Sequence, residues 1–194
     1  MDPPQIVTMP PPLLLIDIDG VISLFGFDPE RPPPGRFLLV DGIPHFVSTT
    51  AAELLHALEP DFELVWCSGW EEKADQYLPL ELGLPGGLHH LTFGEPSVLS
   101  DAFTASAADA PGLPVGDGHA APARHWKLAA IDAYAGPERP LAWIDDAFDE
   151  SCRAWASDRS GPTLLVATDP ATGLAAAHAG RLRDWARRVR VTAR

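Results

Sequence analysis

The chain has 194 residues, 46% of them hydrophobic, enough for one domain with a real core and too many for an intrinsically disordered chain. Lys+Arg number 14 against 27 Asp+Glu, so the formal charge is −13; a surface of that sign disfavours broad binding along a phosphate backbone but leaves room for a local pocket that takes a phosphorylated end. Two cysteines, Cys67 and Cys152, without a CxxC pair make neither a disulfide framework nor a zinc site.

In chain order, residues 1–12 are a Pro-rich lead-in with no basic and apolar signal-peptide pattern, and residues 13–194 read as a single α/β domain. No apolar run approaches the roughly 18 residues that span a bilayer, so a soluble, cytoplasmic protein with no membrane partner is expected. The apolar run over 13–18 predicts a buried parallel strand. Residues 21–47 are broken by Asp28-Pro29, Pro32-Pro33-Pro34-Gly35 and Asp41-Gly42 and predict a β-hairpin flap. A helix capped by Thr49 or Thr50 runs through Leu58. A second strand covers 62–67, a helix 70–78 ends near Pro79, and a short strand is expected over 88–93. Residues 94–122, rich in Ala, Pro, Gly and Ser, read as a variable insertion. Beyond it come a helix over 124–134, a strand over 141–144, a helix over 147–157, a strand over 163–167 and a helix over 174–189. Alternating apolar strands and helices imply a doubly wound, mainly parallel sheet.

Such sheets place their sites at the carboxyl ends of the strands. Three of those ends carry polar groups: Asp17 and Asp19, then Ser68, then Asp145 and Asp146. Folding has no need of Asp17 and Asp19, because Asp is a poor strand former and two carboxylates at i, i+2 share one face and repel. Asp19-Gly20 can also serve as a turn pair. Four converging carboxylates need a cation, and an all-oxygen set without a Cys/His cluster suits Mg2+. Lys127, ahead of the second acid-bearing strand, can balance the acids and hold a phosphoryl oxygen; its plain alternative is a solvated surface lysine.

Asp17-Ile18-Asp19-Gly20-Val21, Ser68 after an apolar strand, Lys127, and Asp145-Asp146 in this order resemble the four motifs of the haloacid dehalogenase (HAD) superfamily of phosphohydrolases. The stretches Ser68-Gly69-Trp70-Glu71, Trp126-Lys127 and Trp143-Ile144-Asp145-Asp146 resemble a small capless type, the HAD domain of Swiss Army Knife RNA repair proteins. The resemblance implies a Rossmann-like HAD fold with no large cap domain. It implies Asp17 as nucleophile forming an aspartyl-phosphate, and Asp19 as the acid and then the base, a role that a crowded pair of carboxylates favours. Ser68 and Lys127 complete the catalytic set. Mg2+ is assigned to Asp17, to Asp19 through its carbonyl, to Asp146, and to Asp145 directly or through water. Ser68, Gly69, Trp70 and Gly20 are assigned to the substrate.

The expected activity is Mg2+-dependent hydrolysis of a phosphate ester, most simply on a phosphorylated small molecule. Processing of a nucleic-acid phosphate end, and a catalytically silent binding protein of the same fold, are the alternatives. Trp70 either stacks on a substrate ring or packs under the flap, and His119 and His125 flank the insertion near where substrate would sit. Cys67, Trp66 and Trp143 read as core. His89-His90 read as a loop, and Asp149 and Glu150 as second-sphere partners or an acidic first helical turn.

Overall fold

The computed structural model describes residues 10–84, 86–94 and 124–192. In chain order the first half holds β1 (Leu13–Ile16), β2 (Ser23–Leu24), β3 (Gly35–Val40), β4 (Ile43–Ser48), α1 (Thr49–Leu58), β5 (Glu63–Trp66), α2 (Glu72–Leu82) and β6 (His89–His90). The second half holds α3 (Leu128–Ala135), β7 (Leu141–Asp145), α4 (Glu150–Asp158), β8 (Thr163–Ala167) and α5 (Ala176–Thr192). Apart from Gly94, the expected insertion over 94–122, with His119 in it, lies outside the described residues.

Five strands form one parallel sheet in the order β6-β5-β1-β7-β8. The central strand β1 is buried along its whole length because it is covered on both faces, which is why its sequence shows an unbroken apolar run. Alternate residues serve the two faces. Leu14 and Ile16 pack with Leu55 of α1, Leu78 of α2 and Leu182 of α5. Leu13 and Leu15 pack with Leu128 and Ile131 of α3 and with Cys152 and Trp155 of α4. Each such buried Leu or Ile contributes about 1.5–3 kcal/mol of transfer free energy. The expected doubly wound α/β fold is therefore present, and no cap domain is evident among the described residues.

A second, three-stranded antiparallel sheet, ordered β2-β4-β3, follows β1 as the expected hairpin. Phe37 and Leu39 are exposed on one face, where Phe46, the cross-strand partner of Phe37, is covered by contact with Phe27 at 4.7 Å and Phe37 at 5.2 Å between ring centroids.

Several boundaries differ from the sequence reading, each for a local reason. The cap of α1 is Ser48, not Thr49 or Thr50: the Ala51 N–H donates to its Oγ at 3.1 Å. Helix α2 begins later, at Glu72, and continues through Pro79 to end at Gly83 in the left-handed conformation (φ 69°). Proline removes one helical hydrogen bond, and burial of Leu78 and Leu82 on either side of it outweighs that loss. His89 and His90 lie on a strand, not in a loop, because β6 pairs with Val65 and Trp66. Of the 88–93 run, these two residues form the strand, and the Leu91 N–H adds one more bond to the Trp66 carbonyl at 2.9 Å. Helix α3 starts at Leu128 rather than 124, and α4 at Glu150 rather than 147, since Asp149 caps it by accepting from the Cys152 N–H at 2.9 Å. Asp149 thus belongs to the acidic helix start, the plainer of its two readings. Helix α5 begins at Ala176, two residues after the expected position.

Candidate active site

Register and side-chain alternation build the site. Ile16 of β1 is level with Trp66 of β5 and with Ile144 of β7, so Asp17, Cys67 and Asp145 come level at the carboxyl edge. The ladder runs one step further: the Asp17 N–H donates to the Ile144 carbonyl at 3.0 Å and the Cys67 N–H to the Ile16 carbonyl at 2.8 Å. Leu13, Leu15, Leu141 and Trp143 face α3 and α4. With a period of two, Asp17 and Asp145 face the same way. Lys127, immediately before α3, meets them there.

Lys127 is buried, with its Nζ 2.9 Å from Asp17 Oδ2 and 2.6 Å from Asp145 Oδ2. The solvated alternative for this lysine is therefore excluded. Burial alone disfavours its ammonium, but the Asp17 and Asp145 carboxylates outweigh that and raise its pKa. Asp17 shifts the other way from an ordinary salt-bridged acid. Burial is the largest influence and raises it, Lys127 lowers it, Asp145 raises it again, and the result is about 6. Asp145 is held from three sides: Trp143 Nε1–H donates to its Oδ2 at 3.1 Å, Lys127 reaches the same oxygen, and the Ala147 N–H donates to Oδ1 at 2.9 Å. Asp146 stands beside it with its pKa raised by burial and then by the Asp145 charge.

Oxygens of Asp17, Asp145 and Asp146 lie within 4.8 Å of one another. Three carboxylates and one ammonium leave a charge of 1 − 3 = −2 when all are ionised, which a divalent cation neutralises. The donor set is all oxygen, as Mg2+ requires. Asp17 and Asp146 have the free lone pairs for it, while Asp145 already accepts three donors and suits the role of holding Lys127. The residues fit the ion.

Gly20 makes room for this arrangement. It sits at φ 73°, and a Cβ there would lie 2.4 Å from the Cγ and Oδ2 of Asp146. Its carbonyl accepts from Thr168 Oγ1 at 2.9 Å, and the Asp145 carbonyl accepts from the Thr168 N–H at 3.1 Å. We expect Gly20→Ala to cost about 1–3 kcal/mol in a denaturant melt, because it combines left-handed backbone strain with displacement of a carboxylate.

Asp19 stands apart from the buried cluster, with its side chain half exposed. Its Oδ2 accepts from Trp70 Nε1–H at 3.0 Å, and its Oδ1 lies 3.7 Å from His45 Nδ1. Trp70 thus lies against the flap and bonds an acid of the site, a contact neither of its two readings contained. Ser68 is buried one step beyond Cys67, and its Oγ accepts a long 3.5 Å bond from the Trp70 N–H. Gly69 faces exposed Trp126, 3.8 Å from where a Cβ would stand. The chain then turns through Glu71 at φ 49°, a conformation rarely adopted by residues with a side chain, and the Phe93 N–H donates to Glu71 Oε1 at 2.7 Å.

His125 is engaged internally. It accepts from the Lys127 N–H at 3.3 Å, packs edge-on against Trp143, and has its pKa lowered, first by burial. Burial drives the Cys67 thiol well above its ordinary range, in keeping with its reading as core rather than nucleophile.

A family model described as the HAD domain in Swiss Army Knife RNA repair proteins matches residues 13–179. The chain belongs to this family. The HAD domain so identified spans β1 to the first turn of α5 and includes every motif residue discussed above. Family membership implies phosphohydrolase-type or RNA-repair chemistry. Among solved structures the HAD domain is similar to a hypothetical protein of Xanthomonas campestris, at 12% identity and a TM-score of 0.42, over 93% of this chain and 84% of that one. No curated protein matches it. No helix among the described residues is long and apolar enough to cross a membrane.

Sequence reasoning missed three participants. Thr168 follows β8 directly, and the rule that drew attention to the other strand ends applies to it equally. Trp143 shares its strand face with Asp145, so alternation alone places the indole near the acid. His45 had no such signal, since it arrives from a separate sheet.

Proposed function

We propose that this HAD domain is a Mg2+-dependent phosphohydrolase working through Asp17. The observation that carries the reading is the buried Asp17–Lys127–Asp145 cluster with Asp146 beside it, at the carboxyl edge of a parallel sheet. Structural folding gives no return for burying two acids around one lysine: a buried ionic group is seldom a net source of stability. Bound by Asp17 and Asp146, with the Asp19 carbonyl as a further ligand, Mg2+ supplies the positive charge that offsets a phosphoryl group.

In the first step an Asp17 oxygen forms a bond to phosphorus. The ester P–O bond breaks, its electron pair goes to the leaving oxygen, and Asp19 gives that oxygen a proton. In the second step Asp19 takes a proton from water, the resulting hydroxide attacks phosphorus, and the bond from phosphorus to Asp17 breaks. Lys127 stabilises the charge that develops on the phosphoryl oxygens. Ser68 and the backbone at Gly69 and Gly20 hold those oxygens, with Trp70 at the rim.

The expected result is hydrolysis of a phosphate-ester panel that requires Mg2+ and disappears with EDTA. No turnover across the panel in Mg2+ sinks the proposal and leaves a silent binding protein of the same fold. The family's link with RNA repair favours a second reading, in which the ester is a nucleic-acid phosphate end. The charge of −13 argues that such binding is confined to the end itself. A 5′- or 3′-phosphorylated oligonucleotide that loses its phosphate faster than the matching mononucleotide supports it, and equal rates oppose it.

A further inference from the structure

Resting on the phosphohydrolase reading, we propose that Trp70 is a positioning residue that selects which oxygen of Asp19 exchanges the proton. An indole Nε1–H can only donate. Its 3.0 Å bond to Asp19 Oδ2 therefore commits that oxygen to accepting. A protonated oxygen is the weaker acceptor for the indole, so the bond favours the proton on Oδ1, and the proton that Asp19 delivers leaves preferentially from there. That oxygen lies 3.7 Å from His45 Nδ1, beyond hydrogen-bond length, so His45 does not hold its proton.

The indole is itself fixed. The His45 ring meets it edge-on with centroids 4.5 Å apart, and His45 Nδ1 is engaged by the buried Ser23 Oγ at 3.1 Å. Ser23 and His45 belong to β2 and β4, adjacent strands of the flap. On its other side Trp70 follows Ser68-Gly69 directly and packs against the core beneath α1 and α2. The flap therefore holds, through His45, the aromatic side chain that bonds the acid of the site, and the indole's position sets the aim of Asp19. The need for such a device follows from geometry. Asp17 is oriented by β1, β7 and Lys127, whereas Asp19 lies past the end of the strand with half its side chain in solvent. An acid left free to rotate loses most of the benefit of being placed close to the leaving oxygen.

The test compares kcat/KM on two esters, because that ratio reports the first bond-breaking step. The phenolate of p-nitrophenyl phosphate leaves with little need of a proton; the alkoxide of glycerol phosphate needs one. Trp70→Phe keeps the ring and removes the N–H. The expected result is a fall of about tenfold or more on glycerol phosphate, part of the 10²–10⁴ that general acid catalysis supplies, with less than about a threefold fall on the aryl ester. An equal fall on both esters, or none on either, overturns the proposal while leaving the phosphohydrolase reading intact. Absence of wild-type turnover on both esters, or turnover unchanged in Asp17→Asn, defeats that reading and the proposal together. Should Trp70→Phe melt below the assay temperature, His45→Asn removes the ring that fixes the indole. It is expected to show the same leaving-group bias at smaller amplitude, and equal effects on both esters again overturn the proposal.

Discussion

Asp17→Asn is expected to abolish hydrolysis, by about 10⁴-fold or more, and at the same time to stabilise the metal-free protein at neutral pH. The two effects share one cause. The pKa of Asp17 is raised from 3.8 to about 6 because burial penalises its charge more than Lys127 rewards it. A group whose folded pKa lies above its unfolded value contributes stability that is complete at low pH and lost as pH rises through the folded value. In EDTA the wild-type melting temperature should therefore decline between about pH 4 and pH 6, relative to Asp17→Asn, and stay lower above that window. At one pKa unit per ~1.4 kcal/mol the difference at pH 7.5 is about 3 kcal/mol, or roughly 6–12 °C for a domain of this size. Melting curves of both proteins at several pH values check this. A variant that melts lower than wild type at pH 7.5 contradicts the balance of burial over ion pairing at Asp17.

Lys127→Met is expected to have the larger effect on folding. It removes the one cation shared by Asp17 and Asp145 and leaves two buried carboxylates facing each other. Breaking a buried pair in this way costs about 3–5 kcal/mol. Hydrolysis should also be lost, because the charge on the transferring phosphoryl group goes uncompensated. Mg2+ should restore part of the lost melting temperature, and more of it than the same concentration gives wild type, since the ion replaces some of the missing positive charge. Equal metal stabilisation in the two proteins would mean that the ion binds away from these acids. Thermal melts with and without Mg2+ decide the point.

Much of this was written in the residue order. The apolar run of β1 announced a strand covered on both faces, and the acids that end β1 and β7 stood out because a strand has no use for them. The parallel sheet followed from the alternation of strands and helices, and the strand-end rule then located Asp17, Asp19, Ser68, Asp145 and Asp146. Helix limits were less legible. Ser48 and Asp149 cap their helices through side-chain bonds that compete with equally good candidates nearby, and α2 runs through Pro79 because burial of Leu82 lies beyond it.

The aspartates at 17 and 19 show where local sequence stops being informative. Their types, their spacing and the glycine after them were enough to single out the pair. Their different surroundings were not, because those come from segments distant in the chain. Lys127 reaches Asp17 from 110 residues away, across the sheet, in a burial that composition gave no reason to expect. Trp70 and His45 reach Asp19 from a strand end and from a flap strand. Alternation along β1 fixed the face Asp17 occupies. Whether an acid on that face is buried against a lysine, or left half exposed under an indole, depends on packing between elements, and no local pattern encodes it.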